Sequence, residues 1–428
     1  MDVREIKATE ITGDVRISFA GGSWRVHSQT SSRTYAVNPS PSAPACECDD
    51  FALRAAPCKH ILAVRKLLER QLRGEPNPTA GEIPARPSRP TYKQDWESYN
   101  LAQTNEKDHF QFLLADLCSA VPQPPPTRKD GGGRQALPIA DALFAAAFKV
   151  YSLMSARRFI SDLREACERG HVSLLPHFNS VLNVLDNPAT TPILTDLITR
   201  SSLPLRAVES QFAIDSSGFS TSRFTRWYDE KYGYNRQQAD WVKAHLCVGT
   251  KTRVVTACVI GEGDSADCPR LAGLVNATAE NFTVKELSAD KAYLSHDNLA
   301  LVDGLGAVPF IPFKSNSRGG GSEVWRRMYF YFMVNRDDYL NHYHRRSNVE
   351  SAFSMIKRKF GDSLRGKTDT SMRNEALAKI LCHNLCCVIG AWYELGIEPS
   401  DWAPKGATPR PAPERDDGPH DVLRFPAG

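Results

Sequence analysis

The sequence predicts an α/β protein: a mixed sheet flanked by helices, preceded by an all-helical region and a small ββα-type module rich in Cys and His. Three observations predict it. Strand-like segments at 212–214, 242–248 and 254–260 come first and interleaved helices later, the texture of a mixed sheet. Between 92 and 205 the apolar periodicity is helical. Near the start, Cys46-x-Cys48, nine residues and Cys58-x-His60 follow two short β-rich stretches.

The composition bounds the function classes. A chain of 428 residues exceeds one ordinary domain of roughly 100–200 residues. With 41% apolar and 24% charged residues, wholesale disorder is excluded. No run reaches the ~18 apolar residues of a membrane span, and MDVREIKATE lacks a signal peptide's apolar core. A soluble cytoplasmic protein with no membrane partner is therefore expected. The net charge, 53 − 49 = +4, is too small to establish a polyanionic partner. Eleven cysteines in such a chain point to metal ligation or reduced core thiols.

Taken in order, residues 1–74 read as the small module, with strands at 23–27 and 34–38 and a helix at 60–71. Residues 75–91 form a Pro-rich linker. Helices are expected at 106–120, 139–154, 157–169, 177–185 and 192–200 within a helical region, 92–207. The α/β domain spans 208–395, with GTKTR at 249–253 connecting a hairpin, a helix at 268–279, strands at 282–289 and 307–313, and long helices at 336–360 and 374–395. A Pro-rich tail occupies 396–428.

Cys46, Cys48, Cys58 and His60 supply three thiolates and an imidazole at short range. Zinc favours such a tetrahedral set, and a closed four-ligand shell is structural, supplying folding energy that a small core lacks. The remaining eight cysteines read as small buried hydrophobes. Arg54, Lys59, Arg65 and Lys66 make the module's surface basic.

Three acidic residues carry the chemistry. Asp215 ends the strand 212–214 before Ser216-Ser217-Gly218, read as an immediate turn; Asp290 follows the strand 282–289; Glu350 lies on a helix. Hard oxygen ligands from three elements can hold two Mg²⁺ ions about 3.5–4 Å apart, where Mn²⁺ can substitute. On that helix Tyr343, Arg346, Glu350 and Lys357 fall within an arc of about 60° at 3.6 residues per turn. Val349, Ala352, Phe353, Ile356 and Phe360 form the adjoining core stripe. Arg346 can grip a phosphate bidentately, Lys357 offers a point charge, and Tyr343 can hydrogen-bond a phosphate or stack on a base. Seven Lys/Arg between 342 and 367 face two acids there, an excess suited to a phosphate backbone. His342 and His344 read as non-ligands, and Trp325 in VWRRMYFYF reads as core.

The spacing C-x-C-x9-C-x-H resembles the SWIM zinc-binding domain over about residues 20–72, which implies DNA or protein binding. The Y-x2-R-x3-E-x6-K pattern, with FAIDSSGFST, RWYDEKYG, VKAHLCVGTKT, ADKAYLS and IPFKSN, resembles the DDE transposases of bacterial insertion sequences over roughly 92–395. That resemblance implies an RNase H-like core and a catalytic triad of Asp215, Asp290 and Glu350. It implies that Tyr343, Arg346 and Lys357 contact DNA at the element's ends. It also implies Mg²⁺-dependent cleavage and strand transfer on double-stranded DNA, at the element's terminal repeats and at the target, by a homodimer. Only 59 residues separate Asp290 from Glu350, too few for the β-rich insert through which some relatives form hairpin ends. A zinc-dependent DNA-binding regulator and a plain nuclease are the alternative functions.

Overall fold

The computed structural model describes residues 3–13, 17–28, 33–54, 56–75, 95–123, 137–221, 231, 241–262 and 265–403. RWYDEKYG at 226–233 lies outside them except for Lys231, as do most of the Pro-rich linker and most of the tail. The chain divides into two compact units, Met1–Gln94 and Asp95–Gly428.

In the first unit helix α1 (Val3–Gly13) precedes strands β1 (Ile17–Ala20), β2 (Ser23–His27), β3 (Thr34–Asn38) and β4 (Ala45–Cys46), then α2 (Asp49–Arg54) and α3 (Lys59–Arg73). The strands form one antiparallel sheet in the order β1-β2-β3-β4. Two strands and one helix were legible beforehand; β1, β4, α1 and α2 were not. β4 is two residues long and carries no alternating pattern to read. Ala8, Ile11, Val26, Val37, Ile61 and Val64 close around Cys46, Cys48 and Cys58 in a core of only a few side chains.

The second unit begins with α4 (Trp96–Thr104), α5 (Glu106–Ser119), α6 (Ile139–Ser152), α7 (Ala156–Glu168), α8 (Phe178–Leu185) and α9 (Thr190–Ser202). Strands β5 (Gln211–Ser220), β6 (Trp241–Gly249) and β7 (Val255–Glu262) follow, then α10 (Arg270–Ala279), β8 (Glu286–Ala289), α11 (His296–Gly304) and β9 (Val308–Phe310). The unit ends with α12 (Glu323–Val334), α13 (Arg336–Tyr343), α14 (Ser347–Phe360) and α15 (Asp369–Leu395). The sheet order is β7-β6-β5-β8-β9, with β5, β6 and β7 antiparallel and β5, β8 and β9 parallel. This is the mixed RNase H-like sheet, its first strand at the centre.

Alternation along β5 sends its side chains into two cores. Ala213 and Phe219 pack with Val349, Phe353 and Ile356 of α14, while Phe212 and Ile214 pack with Leu271 of α10 and Tyr293. α15 serves the first core along most of its length, so an apolar helix long enough to cross a membrane is mostly interior here. Asn384 fastens α15 to its neighbours: its amide donates to the Ile198 and Val255 carbonyls at 3.1 and 2.7 Å and accepts from Val255 N at 2.8 Å. Helices α5, α6 and α9 therefore share one core with the sheet.

Two expectations need correction. β5 does not stop at Asp215, and Ser216–Gly218 are no turn: they pair with His245, Ala244 and Lys243 of β6. The long antiparallel partner extends the strand past the point where short polar residues suggest a turn. The helix expected at 336–360 is also broken, because residues His344–Arg346 tighten into a 3₁₀ turn between α13 and α14. Trp325 is buried as expected, its Nε1 donating to the Arg318 carbonyl at 2.7 Å.

Candidate active site and zinc centre

Strand register brings the first two acids together. Ile214 of β5 pairs with Ala289 of β8, so Asp215 and Asp290 stand one residue beyond on neighbouring parallel strands, which run about 4.8 Å apart. By alternation both emerge on the face that α14 covers. Asp290 then caps a 3₁₀ turn (Lys291–Tyr293), accepting from Lys291 N at 2.7 Å.

Helix α14 supplies the third acid, and Arg346 ties it to Asp215. Its Nη1 donates to Asp215 Oδ2 at 2.5 Å, its Nη2 to Glu350 Oε1, and its Nε to the Tyr343 hydroxyl at 3.2 Å. Lys357 Nζ donates to Ser217 Oγ at 2.7 Å and lies 5.6 Å from the centre of the Phe219 ring. All four residues of the Tyr-Arg-Glu-Lys pattern thus reach one end of the sheet despite the helix break. Arg346 lies one helical turn before Glu350, so one guanidinium spans the acid of α14 and that of β5.

The acids feel one another. Burial pushes the Asp215 carboxyl above its ordinary value; the Ser216 N–H and Arg346 pull it down, while the charges of Asp290 and Glu350 push it further up. Burial likewise raises the Tyr343 phenol, with Asp290 and Asp215 adding to it and Arg346 opposing. Converging carboxylates of this kind call for a positive counter-charge.

The neighbouring positive run is less free than its sequence suggested. Arg345 pairs with Glu286 at 2.5 Å, Lys359 reaches Glu106, and Arg365 Nη1 donates to the Leu153 carbonyl at 2.6 Å. Arg358 and Lys367 are exposed. His342 binds Glu286 through Nδ1 at 2.9 Å and stacks on Phe310. Sequence reading missed a polar cluster behind β5, formed by Lys243, His245, Asp267 and Tyr293; alternation puts Lys243 and His245 on one strand face, but no spacing links them to Asp267 or Tyr293.

In the first unit, Cys46 ends β4, Cys48 precedes α2, Cys58 caps α3 and His60 lies in its first turn. All four are buried. Among the described residues this is the one group of three or more Cys, His, Asp or Glu with ligand atoms all within 4.8 Å of one another; the three carboxylates are more widely spread. His60 Nδ1 lies 3.8 Å from Cys46 Sγ and 3.9 Å from Cys58 Sγ. A tetrahedral zinc with usual bond lengths sets sulfur and nitrogen ligands roughly 3.6 Å apart, so the set fits that ion. Hydrogen bonding with the Cys46 thiol outweighs burial and, with His60, pulls the Cys58 thiol down to about 4. The module's basic residues partly serve its own packing: Arg65 donates to the Pro39 and Ser40 carbonyls at 2.8 and 3.0 Å, and Lys66 to Thr9 Oγ1 at 2.8 Å.

Comparison with known families agrees with this architecture. Residues 206–385 match the family described as "Transposase DDE domain", and residues 34–64 match "SWIM zinc finger". No solved structure matches the chain. The chain carries a DDE transposase domain and an N-terminal SWIM zinc finger.

Proposed function

We propose that the protein is a DNA transposase that cuts phosphodiester bonds at the ends of an insertion sequence and joins the freed 3′-hydroxyls to target DNA. The observation that carries this reading is the meeting of Asp215 and Glu350 on one guanidinium, beside Asp290 at the end of the parallel strand pair. Three acids from two strands and a helix match the donor chemistry of hard divalent cations, and a pair of ions tolerates a wider spread of oxygens than a closed zinc shell does. Asp215, Asp290 and Glu350 would hold Mg²⁺, with Mn²⁺ as a substitute. When bound, the ions supply Lewis-acid activation of the attacking oxygen and stabilisation of the departing one.

The chain's own residues then do the rest. Arg346 and Lys357 grip the phosphate backbone near the scissile bond, and Tyr343 orients it by hydrogen bonding or stacks on a base. Water attacks phosphorus, the bond to the 3′-oxygen breaks, and the element keeps a 3′-hydroxyl. That hydroxyl attacks a target phosphate at the same site, breaking the bond to the target strand's own 3′-oxygen, which leaves as a 3′-hydroxyl, without a covalent protein–DNA intermediate. Cys46, Cys48, Cys58 and His60 hold one structural zinc, and the zinc module and helical region recognise the end sequence. Coordinated cutting of two ends favours a homodimer on DNA.

The test uses purified full-length protein and duplexes carrying the element's terminal repeats, in Mg²⁺ or Mn²⁺. Cleavage followed by strand transfer is expected, and both are lost in Asp215→Asn and Glu350→Gln. Retained cutting in either variant overturns the assigned roles. Binding without cutting by the unaltered protein points to a zinc-dependent regulator, and cutting without joining to a plain nuclease.

A further inference from the structure

The face of β5 opposite the acids holds a polar cluster that the catalytic reading leaves unused. Ser216 points there, and its two ends do different things. Its backbone N–H donates to Asp215 Oδ1 at 2.8 Å, and its hydroxyl donates to Asp267 Oδ1 at 2.9 Å. Asp267, in the segment between β7 and α10, also receives Lys243 Nζ at 2.8 Å. His245 is fully buried, with Nδ1 3.4 Å from Asp267 Oδ1 and 3.4 Å from the Tyr293 hydroxyl, and Nε2 3.2 Å from Ser265 Oγ. Lys243 also donates to the Ser265 carbonyl at 2.9 Å.

The same cluster reaches the second acid. Tyr293, buried at 1% exposure, donates its backbone N–H to the Asp290 carbonyl at 2.9 Å. Asn298 links the Tyr293 carbonyl, at 2.8 Å, to that of Cys268, at 3.1 Å, one residue after Asp267. Both strand acids are thus backed by hydrogen bonds that run to one short segment. Burial would raise the Asp267 carboxyl, but Lys243 and Ser216 hold it below its ordinary value, so it stays a charged acceptor.

We propose that Asp267 is a positioning residue: through Ser216 it fixes β5 so that the Ser216 N–H stays aimed at Asp215, setting that carboxylate's orientation toward divalent metal. The proposal rests on the reading of Asp215 as a metal ligand. Groups that orient metal ligands typically change metal affinity by about 10–100-fold when removed. Ser216→Ala removes the hydroxyl anchor and keeps the N–H to Asp215; Asp267→Ala removes the acceptor; Asp267→Asn keeps one carbonyl acceptor.

Mn²⁺ binding to the zinc-loaded full-length protein, measured by calorimetry without DNA, separates the possibilities. We expect Asp267→Ala and Ser216→Ala each to weaken Mn²⁺ about tenfold. The double variant should be no weaker than either alone, because both break one chain of bonds. Asp267→Asn should recover part of the loss. Should Asp267→Ala fail to fold, Ser216→Ala carries the test. Wild-type affinity in Ser216→Ala, or losses that multiply in the double variant, overturns the proposal while Asp215→Asn abolishes binding. Unchanged Mn²⁺ binding in Asp215→Asn overturns the metal-site reading itself, and the proposal with it.

Discussion

Removing Arg346 strips two carboxylates of their shared cation. The pair with Asp215 is largely enclosed, the two side chains being 20% and 21% exposed, whereas Glu350 is 56% exposed. The Glu350 arm is therefore worth only about 0.2–1 kcal/mol. Unit charges near 4 Å in an effective dielectric of about 20 attract by about 4 kcal/mol, from which the cost of desolvating both is subtracted. Arg346→Ala should thus destabilise the metal-free protein by about 1–3 kcal/mol, and Asp215 should hold its proton to higher pH, because one of the influences lowering it is gone. A divalent cation at the acids restores positive charge there. Urea melts in chelator and in millimolar Mn²⁺ read the difference: the variant's deficit should shrink by more than half with Mn²⁺. An equal deficit in both conditions, or none in chelator, refutes the assignment of Arg346 as counter-ion to Asp215 and Glu350.

Other outcomes follow from the same structure. The Cys/His set should bind one zinc per chain by elemental analysis; Cys58→Ser should lose it and unfold the first unit, seen as increased proteolysis before residue 75. His383 is buried at 2% exposure with Nε2 2.9 Å from the Arg253 carbonyl, and burial lowers it to about 4. Between pH 6.5 and 4 the unfolded chain binds the extra proton. Stability from this group is therefore complete above pH 6.5 and falls by up to about 3 kcal/mol as pH drops to 4. His383→Gln should remove that share of the pH dependence in urea midpoints, and an unchanged wild-type-minus-variant difference across the range counts against it.

Much of this molecule is written locally. Apolar periodicity located α5 through α9 within a few residues, because each helix buries one stripe and shows it in the chain. Cys46, Cys48, Cys58 and His60 were legible because a zinc shell built over fifteen residues must carry its donors at short spacing. Tyr343, Arg346, Glu350 and Lys357 were legible for a related reason, since one stretch of chain carries them all. What the chain could not show is pairing at a distance. That Asp215 lies mid-strand follows from β6 running alongside it, and its place beside Asp290 follows from the register of β5 against β8. Arg346 meets Asp215 because the helix carrying it packs on β5, and Asp267 stands behind Ser216 because the segment after β7 reaches over β6 to β5. Hydrogen-bond register and side-chain alternation act between residues dozens of positions apart, so they exist only once the sheet has formed.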